Sequence, residues 1–137
     1  MVKYRELIRE YQKEAPVHVV PIAHALGLKV YKAPNLDDKL SGLIKREDDD
    51  SYSIYVNGDH HAHRRRFTVA HEISHFLLHK EMIGDGLTDD YMYRSGLSSA
   101  QEREANALAA DILMPWHLIK EEQEKGLDEP WVLAGRS

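Results

Sequence analysis

The sequence predicts one α+β domain: a small, mostly antiparallel three-stranded sheet, a long helix laid against it, and a second, alanine-rich helix. Three observations carry that prediction. The runs Ser41–Lys45 and Tyr52–Val56 flank the acidic turn Glu47–Asp50, and the second is rich in β-branched and aromatic residues, as a hairpin strand should be. The stretch from His60 to Lys80 can run as a single helix. Downstream, Ser98 or Ser99 is followed three positions later by Gln101 or Glu102, the pattern that opens a helix. With 137 residues, the chain is long enough for one domain, spanning 1–137, with a core of its own.

Taken in order, Tyr4 to Glu14 forms a first short helix, since Tyr4, Leu7, Ile8 and Tyr11 share a face. Ala15-Pro16 ends it. A second helix starts at Val20-Pro21, where proline suits the first turn, and stops at Gly27. Leu28–Tyr31 makes the first strand, and the hairpin follows. Asn57-Gly58 marks a turn, with Asp59 as the expected N-cap of the long helix. Residues 81–97, with Tyr91 and Tyr93, read as an irregular functional loop. The alanine-rich helix continues to Met114, where Pro115 interrupts it, and a charged helix occupies Trp116–Lys125. Trp131, Val132 and Leu133 follow with nothing evident to pack them.

Composition removes several function classes. The chain has no cysteine, which excludes a disulfide scaffold, a thiolate metal site and a cysteine nucleophile. The charged, broken N-terminus is unlike a signal peptide, and no apolar run is long enough for a bilayer; a cytoplasmic protein without membrane contact is expected. A net charge of −5 argues against direct nucleic-acid binding, and Arg64–Arg66 is too short to reverse that. His60, His61 and His63 read as a solvated helix start. The nine histidines are otherwise the unusual feature.

Five of the residues in the long helix, His71-Glu72-Ile73-Ser74-His75, fit H-E-x-x-H. Chance yields roughly 0.05 matches in a chain of this composition. Four residues apart, the two imidazoles share a helix face and can reach one zinc ion. Glu72, rotated about 100° from His71, lies beside that ion without ligating it, where a carboxylate acts as a general base. Phe67, Ala70, Ile73, Phe76, Leu77 and Leu78 make the segment largely apolar. Burying two histidines and a glutamate among them needs compensation, which a metal supplies.

A catalytic zinc site needs a third protein ligand. His79 is excluded, because about 12 Å of helix rise separates it from His71; it reads as a helix-end residue suited to the dipole. The pattern with a further glycine and histidine fails too, since Leu78 and Glu81 stand at those positions. Glu102 is the better candidate, with Asn106 one turn later placed to bond a ligating histidine. Spacing leaves Glu104 open, but it faces about 200° away and lacks that amide partner. Manganese or cobalt would also suit a His, His, Glu set.

These residues resemble the ImmA/IrrE-type zinc metallopeptidases. The resemblance rests on Arg64–His79, an arginine-led helix into H-E-x-x-H; on Glu102–Pro115, with its Glu, Ala-Asn, Ala-Ala and Leu-Met-Pro pattern; and on Pro16–Gly27 with Ser41-Gly42. Together they cover residues 16–115. It implies a gluzincin-like site with His71, His75 and Glu102 on zinc and Glu72 as the catalytic glutamate. It also implies a site-specific endopeptidase that cuts Xre-type helix-turn-helix repressors, releasing phage, mobile-element or stress genes. Leu108 replaces a common phenylalanine, and the sequence after Met114-Pro115 is shorter than in many relatives, so residues 116–137 read as a charged helix with a shortened tail.

On this reading Glu72 moves the proton, and Tyr91 or Tyr93 supplies a donor to the oxyanion. An extended substrate would pair with Tyr52–Val56 if that strand were at the sheet edge. The competing function is a zinc-containing binding module or latent sensor that holds a regulatory partner without cutting it.

Overall fold

The structure is a computed structural model that describes residues 2–34, 36, 40–83, 87–90, 93, 94 and 98–124. Its elements in chain order are α1 (Val2–Glu10), α2 (Val19–Ala25), β1 (Leu28–Ala33), β2 (Leu40–Arg46), β3 (Tyr52–Asn57), α3 (Ala62–Leu78), a 3-10 turn (Lys80–Met82), β4 (Leu87–Asp90), β5 (Tyr93–Arg94), α4 (Ser99–Leu113) and α5 (Trp116–Glu124). The α+β class follows directly.

The three expected strands form the body of a mixed sheet ordered β1-β3-β2-β4-β5. β2 and β3 pair antiparallel as a hairpin, whereas β1 lies parallel to β3. Two differences from the sequence reading follow. Tyr52–Val56 lies inside the sheet between β1 and β2, so an extended peptide has no edge to pair with there. β4 and β5 fall in the stretch read as irregular. Leu87-Thr88-Asp89-Asp90 has poor strand propensity, and its pairing with β2 overrides that weak local preference.

One face of the sheet builds the core. Val30, Ile44 and Ile54 sit in register across β1, β2 and β3, with Ile44 and Ile54 fully buried. α3 lies against the sheet, with Val69, Ala70, Ile73 and Phe76 in the core, and Ala109 and Ile112 of α4, which packs on α3, belong to the same buried cluster. Gly42 lets α3 come close. A Cβ there would stand 2.5 Å from the Tyr55 carbonyl oxygen and 2.7 Å from Thr68 Cγ2. The long helix is therefore seated on β2 three residues before His71, and side-chain size at residue 42 controls how near it sits.

Local signals place the helix ends. Gly27, at φ +85°, terminates α2 in the left-handed conformation that glycine tolerates. His61, rather than Asp59, caps α3, its ring accepting from His63 N–H. Asp59 is occupied in the preceding turn, where its backbone N–H donates to Asn57 Oδ1. Arg66 reinforces the start of α3 by donating from Nε and Nη2 to Val17 O at 3.1 and 2.9 Å, and its partial burial pushes the guanidinium pKa down. α4 opens with the full capping box: Ser98 Oγ accepts from Gln101 N–H, and the Gln101 side chain accepts from Ser98 N–H. Among the described residues no helix is long and apolar enough to cross a membrane.

Candidate metal centre

The α3 and α4 helices bring three donors together. His71 and His75 project from one face of α3, and Glu102 enters from the first turn of α4. Nε2 of His71 and Nε2 of His75 are 3.0 Å apart. Glu102 Oε1 lies 3.3 Å from the first and 3.4 Å from the second. Donors arranged tetrahedrally at zinc bond lengths sit about 3.3–3.4 Å from one another. The triangle therefore already has the spacing that one zinc ion requires. Among the described residues this trio is the group with metal-binding geometry.

Burial gives the triangle its chemical meaning. His75 is fully buried, and His71 and Glu102 are 7% and 5% exposed. Two imidazoles and a carboxylate in such surroundings gain from a cation that all three can ligate. The nitrogen and oxygen donor set suits zinc and also admits manganese or cobalt. Packing fixes the rings. Phe67, one turn before His71, stacks on its imidazole at 5.9 Å between centroids, and His71 and His75 meet edge to face at 4.5 Å. Glu72 is completely buried beside them on α3.

Small side chains make the two-helix arrangement possible. Ala105 and Ala109 of α4 are fully buried, and their methyl side chains take up little room in the packing of α4 on α3. The buried face of α4 runs through Ala105, Ala109 and Ile112, with Glu102 at its margin. A four-residue step turns the helix about 40° further, and this carries Asn106 out to solvent. Among the described residues Asn106 bonds neither histidine, so the predicted amide partner is not where the spacing put it.

That outer position belongs to His79. Its Nδ1 lies 3.1 Å from His75 Nδ1, and its Nε2 lies 3.5 Å from Glu104 Oε1. His79 is 7% exposed and caps the C-terminus of α3, with its N–H bonded to His75 O at 2.7 Å. The sequence excludes His79 as a ligand and places it at the helix end, where it is found, but does not predict its contact with His75. The signal was present, since His75 and His79 repeat the four-residue spacing of His71 and His75. Glu104, the rival third ligand, has a side chain 61% exposed and is turned to His79. Tyr91 lies outside the described residues, as does the side chain of Tyr93, whose backbone is in β5.

A helix with H-E-x-x-H packed on a second helix that contributes a buried carboxylate defines a metallopeptidase-type site. The family comparison agrees. Residues 23–130 match the peptidase M78 model, described as the IrrE N-terminal-like domain, and the chain belongs to that family. No curated protein matches the chain at a significant level.

Proposed function

We propose that this protein is a zinc-dependent, site-specific endopeptidase acting on a protein substrate. The substrate class we propose is a helix-turn-helix repressor of the Xre type, or a related regulator of phage, mobile-element or stress genes. The buried triangle of His71, His75 and Glu102, in a chain of a peptidase family, carries this reading. A cytoplasmic setting fits the absence of cysteine.

His71, His75 and Glu102 would hold the ion. When bound, zinc supplies Lewis acidity, lowering the pKa of water and polarising a scissile carbonyl. Glu72 is the residue for the proton: its carboxylate accepts one from the attacking water and returns it to the leaving amine. Its burial keeps bulk water from competing for that proton. Donors for the developing oxyanion are assigned to Tyr91 or Tyr93.

The deciding experiment incubates a purified Xre-type repressor with zinc-loaded protein and with Glu72→Gln. Cleavage at one position by the wild type, lost by about 10²–10⁴-fold in the variant, supports the assignment. A stable complex with uncut repressor, unchanged in Glu72→Gln, would replace it with a zinc-containing binding module.

A further inference from the structure

The chain of contacts from Glu104 through His79 to His75 has a chemical direction. An imidazole that offers Nε2 to a metal must carry its proton on Nδ1. In His75 that Nδ1–H faces His79 Nδ1 at 3.1 Å, so His79 must present a lone pair there. A neutral His79 then carries its proton on Nε2, the atom that faces Glu104 Oε1 at 3.5 Å. An ionised carboxylate only accepts, so Glu104 favours the same tautomer from the other end. In this arrangement His75 Nδ1–H and His79 Nε2–H both meet acceptors, and His75 keeps its Nε2 lone pair for a metal. With the opposite tautomers, His79 would carry no hydrogen on Nε2 for Glu104, and His75 Nε2–H would point its proton into the donor triangle.

We infer that His79, backed by Glu104, is a positioning residue that holds His75 in the tautomer and ring orientation needed for metal binding. The inference rests on the metal-centre reading above and adds two residues to it. His79 is 7% exposed, so the contact with His75 is protected from water. The Glu104 side chain is 61% exposed and its contact is long, so its influence is the smaller of the two. Partners of ligating histidines commonly affect metal affinity by about 10–100-fold.

The test is zinc affinity by competition with a chromophoric chelator, together with long-range proton–nitrogen NMR of the histidine rings at a pH where they are neutral. Wild type binds one zinc, with His79 protonated on Nε2. His79→Leu binds about 10–100-fold more weakly. His79→Asn, whose Oδ1 can stand where Nδ1 stood, recovers most of the loss. Glu104→Ala loses less than His79→Leu. Equal affinity in wild type and a folded His79→Leu would overturn the inference while leaving the metal centre intact. So would a His79 ring protonated on Nδ1 in the wild type, a result that stands even if His79→Leu fails to fold. Absence of zinc binding by the wild type itself would remove both the centre and the positioning role.

Discussion

Glu102 Oε1 and His71 Nε2 face each other at 3.3 Å across the packed surfaces of α3 and α4. The two residues are far apart in sequence, and each belongs to a helix with its own local N-cap, His61 for α3 and Ser98 for α4. Their meeting depends on β2, on which α3 rests, and on Ala105 and Ala109, which let α4 approach.

Metal content separates the donors from their neighbours. Wild-type protein prepared without chelator or added histidines should carry about one zinc per chain, measured by elemental analysis. His71→Ala and Glu102→Ala should lose most of it, whereas Glu104→Ala should retain full stoichiometry when zinc is in excess. Loss in Glu104→Ala with retention in Glu102→Ala would reverse the assignment of the third ligand.

Zinc should also stabilise the fold. At a free concentration one hundred times Kd, a ligand that binds only the native state adds about 2.7 kcal/mol. Thermal melts should therefore rise on zinc addition in wild type and stay flat in His71→Ala. A flat wild-type melt at saturating zinc would show that native protein gains nothing from the ion.

Packing at the interface between α3 and α4 should control the centre without touching a donor. Ala105→Leu places extra volume where Ala105 is fully buried and should cost about 1–3 kcal/mol of stability. Because α4 must move away, Glu102 moves with it, and zinc binding by chelator titration should weaken. Wild-type affinity in that variant would show that Glu102 reaches the ion independently of helix spacing.

Gly42→Ala should destabilise the protein by about 1–3 kcal/mol, read by urea denaturation. The added methyl group would collide with the Tyr55 carbonyl oxygen, a backbone atom that cannot swing aside. A neutral result would mean that β2 and β3 shift freely at that point, and α3 with them.

Gln12 ties the N-terminal helix to the far end of α4. Its Nε2 donates to Asp111 O at 3.3 Å and Ile112 O at 3.0 Å, carbonyls left over in the last turn of the helix. Its own backbone oxygen accepts from His117 Nε2 at 2.7 Å. Gln12→Ala should cost about 1–2 kcal/mol in the same measurement. Since this clasp is remote from the donors, zinc affinity should hold.

Local patterns already spelled out most of this protein. H-E-x-x-H within an apolar helix placed His71, Glu72 and His75, because a four-residue spacing on a helix dictates a shared face. Gly27, the Ser98 cap and Pro115 marked element boundaries, since each acts on the backbone of its own turn. Relations between helices were beyond such patterns. Glu102 and Glu104 could not be separated by spacing, because burial is set by which side of α4 meets α3. Asn106 shared a nominal face with Glu102, yet the line of contact along α4 left it in water. His79 acquired its partner in Glu104 by the same docking. β3 became an inner strand because β1 added parallel to it, a pairing between segments that no local propensity encodes. Backbone preferences act over a few residues, whereas donor geometry comes from the packing of separate elements on a shared core.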